Sequence, residues 1–434
     1  MRIIQISAGT GNFYCGSCLR DHAAVKGLAA LGHDTQIVPL YLPLVTETPS
    51  NGDVPMFFGG INVYLQQKSA LFRHTPGWFD RVLDSKVILK LAARNAGMTK
   101  AHELGELTLA TLQVQDSRQR KELRRLIDWL ASTVRPDVIC LSNALLTGFA
   151  KPIREAIDVP VVCTLQGEDA FLDGLPAPYD GRCWEALREN VADVAGFIAV
   201  SKYYGDVMRK RMALDAARAH VVYNGIELDD FKTLNCVKSA KPVIGYLTQI
   251  IPGKGGERLV DAFISLKREN RVTDLQLHIA GSLVPAERPF LKRLEQKVED
   301  AGFADDLQIS TNIDRATKLA FLGSLSVLSV PATYGESFGL YVIEALAAGV
   351  PVVQPRHAAF PEVIEMTGGG ILCEPDNTRA LADALASLLL DPVHAAALGE
   401  HGKRVVFEEF GVDRMCRELA DVFNQVIEWH TPSK

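Results

Sequence analysis

The sequence predicts an α/β protein built from two parallel-sheet domains, and three observations lead there. The chain has 434 residues, long for one core when domains usually run about 100–200 residues. Short β-branched runs alternate with longer amphipathic stretches, the pattern of parallel sheets assembled from βαβ units. The alternation occurs twice, with the polar stretch DDFKTLNCVKSAKP between the two sets. The boundary is expected near residue 235.

In chain order the first set of strands is MRIIQIS, DTQIVPLY, DVICLS, VPVVCTL, GFIAVS and HVVYN. The second is PVIGYL, LQLHIAG, LQIS, LSVLSV and VPVVQP. These give domains over 1–235 and 236–410. Residues 46–135 break the first alternation with one extended piece, GGINVYLQQ, followed by a mainly helical pattern, and so read as an insertion. Over 411–434, Met415, Leu419, Val422, Phe423 and Ile427 recur at helical spacing and mark a closing amphipathic helix.

Hydrophobic residues at 47% and charged residues at 23% are the balance of a globular enzyme, which excludes disordered and fibrous classes. A net charge of −6 offers no global attraction to nucleic acid, so no nucleic-acid partner is expected. The first residues read as a strand rather than a signal peptide, and nowhere do about 18–20 apolar residues run together. Eight cysteines scattered mainly in apolar contexts suit a reducing compartment. A cytoplasmic location is expected.

The most informative segment is LSVLSV-PATYGESFGLYVIEALAAGVPVV. It reads as a strand over 325–330, a loop, a helix starting near Ser337 as N-cap and ending at Gly349, and a further strand. The helix then opens at the carboxyl end of a strand, where ligands bind in open α/β sheets. Its amino terminus favours an anion, and Gly335 and Gly339 permit close approach. Glu336 and Glu344 would lie about 12 Å apart at helical rise, roughly the span of a nucleotide sugar. One could accept from hexose hydroxyls and the other from ribose hydroxyls. Taken alone, each reads first as a structural helix residue.

The E-x7-E string within GESFGLYVIEALAAGVPVV, followed by PEV at 361–363, resembles the donor-site signature of family 4 of the retaining glycosyltransferases. VIGYLTQIIPGKGGERLVDAF, VVYNGIELDDF and LQLHIAG stand in the family's order. The resemblance covers essentially the whole second domain and, more loosely, the first. It implies a GT-B fold, two Rossmann-like domains facing a cleft, here with a helical insertion in the first and a C-terminal helix closing back on it. It also implies metal-independent transfer, with retention, from a nucleotide-sugar donor such as a UDP-, GDP- or ADP-sugar to a hydroxyl acceptor. No further cofactor and no metal site are implied, and the sequence has no D-x-D motif.

Residue by residue, the resemblance puts Glu336 on the donor sugar, Glu344 on the ribose and the amides of Ser337, Phe338 and Gly339 on the phosphates. Lys254 would meet the diphosphate, where charge develops as the glycosidic bond breaks. The family's arginine five positions earlier falls on Gln249, which donates hydrogen bonds without a charge. Arg258 or Arg356 could supply that charge, although each reads first as a surface residue. In the first domain Gln166 occupies the place of a histidine beside the reacting sugar. Glu168 or Asp169 would then act as base on the acceptor hydroxyl, or cap the helix that follows. The loop SAGTGNFYCGSC matches the family's first glycine-rich loop, with Gly9, Gly11 and Gly16 bringing amides toward the diphosphate. Cys15 and Cys18 in that loop read as packing first, then as a redox pair, then as metal ligands.

A sugar, lipid-linked or small-molecule acceptor is expected at the insertion, which mixes aromatics with Lys68, Arg73, Arg81, Lys86, Lys90 and Arg94. That stretch reads first as a packed helix with a solvated face, and second as a weak peripheral membrane contact. Three alternatives stand beside transfer. Gln166 and Gln249 lack the family's charges, which suits a sugar-nucleotide-binding protein with little turnover. A sugar-nucleotide epimerase would use the same fold, and the C-x-x-C would suit a thiol oxidoreductase.

Overall fold

The computed structural model describes residues 1–8, 16–41, 57, 101–115, 119–234 and 239–430. Most of the insertion, with GGINVYLQQ and its six basic residues, lies outside the described residues, as do Gly9, Gly11 and Cys15. The chain forms two compact units, Met1–Tyr223 with Met415–Lys434, and Asn224–Arg414. The division falls ahead of the expected residue 235 for a physical reason. Ile226 N donates to Phe410 O at 2.9 Å and Val412 N to Ile226 O at 3.1 Å, so the turn after Tyr223 is already bonded into the second unit.

The first unit holds β1 (Arg2–Ser7), β2 (Asp34–Pro39), β3 (Val138–Leu141), β4 (Val161–Leu165), β5 (Gly196–Ala199) and β6 (Ala219–Val221). They form one parallel sheet in the order β2-β1-β3-β4-β5-β6. β3, β4 and β5 are buried along their whole length, as expected of parallel strands covered by helices on both faces. The closing helix Val412–His430 buries Met415, Leu419, Val422, Phe423 and Val426, while Ile427 is half-buried. Its Cys416 thiol donates to Ala24 O at 3.5 Å.

The second unit holds β7 (Val243–Leu247), β8 (Gln276–Gly281), β9 (Leu307–Thr311), β10 (Val327–Leu328), β11 (Val352–Pro355) and β12 (Gly370–Cys373). They too are parallel, in the order β12-β11-β10-β7-β8-β9. β10 is shorter than the expected 325–330, because the chain turns toward Pro331 and the Val330 amide goes to the Gln354 side chain at 3.3 Å. β12 was not among the expected strands. Read outward from the middle, this is the strand order of the dinucleotide-binding fold, with its switch point between β7 and β10. The first sheet switches between β1 and β3. Among the described residues no single helix is long and apolar enough to cross a membrane.

Candidate active site

Two loops leave the carboxyl ends of the strands that flank the second unit's switch point. After β7 the chain makes the short turn Pro252–Lys254, and after β10 it carries Tyr334 and Glu336. Gly255 joins the two loops. It sits at φ +76°, and a Cβ there would lie 2.1 Å from Pro331 O, so the two backbones touch where only glycine fits.

The contact brings the side chains together. Lys254 Nζ donates to Glu336 Oε2 at 2.7 Å and also to the Tyr334 hydroxyl. The hydroxyls of Tyr341 and Tyr334 donate to the same Oε2 at 2.9 and 3.2 Å. Glu336 Oε1 has no hydrogen bond among the described residues. The ammonium stands 4.6 Å from the Tyr334 ring centroid and 5.9 Å from that of Tyr341. Only 13% of the Lys254 side chain and 10% of the Glu336 side chain are exposed. Burial alone would push the Glu336 carboxyl up, but the adjacent Lys254 charge and the bonds from Lys254, Tyr341 and Tyr334 outweigh it and hold the group below its ordinary range. Burial, reinforced by the Glu336 charge, pushes Tyr341 well above an ordinary phenol, so it remains a donor. Lys254 and Glu336, both expected from the sequence, are thus joined directly. Tyr334 and Tyr341 were not expected, since each reads as an ordinary aromatic packing residue.

The helix begins later than expected. It spans Leu340–Ala347, with Gly339 in the N-cap position at φ +86° and no side-chain cap bond. That left-handed backbone is not helical, so Ser337 is not the cap. Phe338 anchors the loop instead, 1% exposed and 6.1 Å from the Phe410 ring. The Glu336 carbonyl accepts from Ala359 N at 3.2 Å. The helical spacing assumed between Glu336 and Glu344 therefore does not apply. Glu344 accepts from Lys318 Nζ at 2.8 Å, a second partly buried ion pair that the sequence did not reveal. Gln249, half-buried, makes no side-chain hydrogen bond among the described residues. Arg258 is bound to Pro331 O at 3.1 Å and to Asp376, and Arg356 is an exposed residue 3.8 Å from Glu365. Neither joins Lys254. No group of three or more His, Cys, Asp or Glu able to hold a metal occurs among the described residues.

In the first unit, Gln166 follows β4 and its Nε2 donates to Ser142 O at 2.6 Å and to Asp21 Oδ1 at 3.3 Å. Asp21, fully buried, is paired with Arg20 at 3.2 Å. Glu168 stands at the N-cap position of the helix that follows but makes no side-chain cap bond to it. Its carboxylate accepts from the amides of Ala144, Gln166 and Gly167, each at 2.9 Å, and from the Tyr204 hydroxyl at 2.8 Å. Those bonds staple the β4 loop to the residues after β3. Burial raises its pKa. Asp169 opens the helix Asp169–Asp173, and its buried Oδ1 lacks a hydrogen-bond partner. Gly16, exposed, is the first residue of the helix Gly16–Ala30, and Cys18 is buried in that helix with its thiol 3.8 Å from Ser7 Oγ.

Known proteins match both units. The family model described as glycosyl transferases group 1 matches residues 232–405, and that described as glycosyltransferase family 4 matches 106–230. The GDP-mannose-dependent alpha-(1-6)-phosphatidylinositol monomannoside mannosyltransferase of Mycobacterium tuberculosis H37Rv is 30% identical over 187 residues, covering 42% of this chain and 47% of that protein. The D-inositol 3-phosphate glycosyltransferase of Xylanimonas cellulosilytica is 27% identical over 291 residues, 62% of this chain and 67% of that protein. The matched region thus spans about half the length of the first of these relatives. Among solved structures, sucrose-phosphate synthase from Thermosynechococcus elongatus superposes with a TM-score of 0.73 at 17% identity, covering 99% of this chain and 100% of that one. Anabaena HepE in complex with UDP-glucose gives 0.66 at 14%, covering 98% and 99%. At those identities the likeness shows the fold, which is GT-B. The model for each unit agrees with the fold of that unit, and the chain belongs to glycosyltransferase family 4.

Proposed function

We propose that the protein transfers a sugar from a nucleotide-sugar donor to a hydroxyl acceptor, with retention at the anomeric carbon and without a metal. The observation that carries this reading is the Lys254–Glu336 pair at the switch point between β7 and β10. Lys254 lies beside the first turn of the helix Leu340–Ala347, within 5.9 Å of the Tyr341 ring. An ammonium and the positive end of a helix dipole repel one another, and a diphosphate entering there would relieve that repulsion. As the bond from the sugar to the diphosphate lengthens, negative charge builds on the leaving oxygen, and Lys254 is placed to meet it. Glu336 offers Oε1 to a donor-sugar hydroxyl, and Glu344 is the carboxylate for the ribose. Gln166 can hydrogen-bond but cannot carry a proton away. The departing phosphate, on the face from which the acceptor enters, takes the proton from the acceptor hydroxyl.

The relatives make GDP-mannose and UDP-glucose the first donors to try, and inositol-type or lipid-linked hydroxyls the first acceptors. A thermal-shift panel of UDP-, GDP-, ADP- and TDP-sugars tests the donor class. A donor at one hundred times its Kd stabilises the folded state by about 2.7 kcal/mol and raises its melting temperature. A flat response to every sugar nucleotide would remove this reading. A Glu336→Gln variant should fold and lose transfer, and wild-type activity in it would remove the role given to that carboxylate.

A further inference from the structure

Lys254 serves two anions in the nucleotide-sugar reading, Glu336 and the diphosphate. Its ammonium lies 2.7 Å from Glu336 Oε2, and a diphosphate would share that charge. Glu336 would then be a carboxylate in a site where burial works against its charge. What can still hold it is read from the groups that face it. Tyr334 comes from the β10 loop, bonded to Lys254 as well as to Glu336, so its hydroxyl is shared with the cation. Tyr246 of β7 lies outside the carboxylate's reach, its hydroxyl donating to Lys254 O at 3.3 Å. Tyr341 alone bonds Glu336 from a helix, at 2.9 Å, with 7% of the residue exposed.

The ring of Tyr341 is fixed in turn. Its centroid lies 6.4 Å from that of Phe360. A Cβ at Gly339 would stand 3.6 Å from the Tyr341 ring carbon that bears the hydroxyl and 3.3 Å from Phe360, so the glycine that starts the helix also leaves room for the phenol. With all three donors gathered on Oε2, the other oxygen is the one open to a ligand.

We propose that Tyr341 is the positioning residue for Glu336: its phenol fixes Oε2 and so presents Oε1 to a hydroxyl of the donor sugar. This rests on the nucleotide-sugar reading. Its signature separates the sugar from the nucleotide. Tyr341→Phe should leave binding of the bare nucleoside diphosphate unchanged and weaken the sugar-bearing donor, and the acid limb of donor binding should move to higher pH as Glu336 protonates more readily.

The test is calorimetric titration of wild type and Tyr341→Phe with UDP and UDP-glucose, GDP and GDP-mannose, and ADP and ADP-glucose, from pH 5 to 8. For whichever pair the wild type binds, the variant should keep its diphosphate affinity and lose about tenfold for the nucleotide sugar, the scale of one hydrogen bond to a charged group. Equal affinity for the nucleotide sugar at every pH overturns the proposal. Loss of the diphosphate along with the nucleotide sugar also overturns it, because the helix rather than the carboxylate would then depend on Tyr341. A wild type that binds none of the six ligands sinks the donor reading itself, a distinct result. Tyr334→Phe, run in parallel, should show the smaller pH shift, and a larger one would transfer the role to Tyr334.

Discussion

At the scale of single residues, the buried carboxylates of the two units respond to pH in opposite senses. Glu336 has a lowered pKa in the folded protein, so it contributes stability above the ordinary carboxyl value of 4.5, and that contribution is lost as pH falls through the folded value. Glu168 has a raised pKa, so its contribution is present below 4.5 and lost as pH rises through the folded value. Urea midpoints measured from pH 7 to pH 3 should show the gap between wild type and Glu336→Gln closing on acidification. The gap for Glu168→Gln should widen. Parallel curves would contradict both assignments. Removing the cation is harsher, since it leaves a buried charge without its partner. Lys254→Ala should cost about 3–5 kcal/mol. A Lys254→Met, Glu336→Gln double variant should cost less than the sum of its single changes, because the two residues touch.

At the scale of elements, the loops that present these side chains depend on backbone contact. Ala at 255 would have to hold φ near +76° while its Cβ displaces Pro331 O. Left-handed strain alone is worth about 1–2 kcal/mol and overpacking about 1–3 kcal/mol. Gly255→Ala should therefore lower the urea midpoint and weaken donor binding together, and a variant with unchanged donor affinity would show that the loops do not depend on this contact. The same scale explains what could be read in advance. Strands buried on both faces appear as continuous apolar runs, and β3, β4, β5 and β7 were plain for that reason. β12 was hidden because it is a four-residue edge strand entered through consecutive glycines, and its Gly370 to Leu372 stretch is only half-buried. The helix start was misplaced because serine is a common N-cap, whereas here Gly339 takes that position with a backbone no residue pattern announces.

At the scale of the molecule, motif spacing singled out Lys254, Glu336 and Glu344 as the residues proposed to meet a donor but not the side chains that bond to them. Lys254 and Glu336 are separated by 82 positions, and their meeting follows from the strand order at the switch point. Lys318 and Tyr341 carry no local mark of their roles, because an ion pair or a phenol on a carboxylate is fixed by packing rather than by sequence neighbours. The C-terminal helix was the easier long-range feature, since its apolar spacing showed which face must be covered. Phe423 on that face is 1% exposed within the first unit. Phe423→Ala should cost that unit about 3–5 kcal/mol. Lys254, Glu336 and Glu344, proposed for the donor site, all belong to the second unit. Calorimetric melts of wild type and Phe423→Ala, with and without the nucleoside diphosphate that binds, should therefore resolve two separate effects. The substitution lowers the transition of the first unit, the ligand raises that of the second, and neither alters the size of the other's shift. A single transition moved by both would show instead that the two units unfold as one.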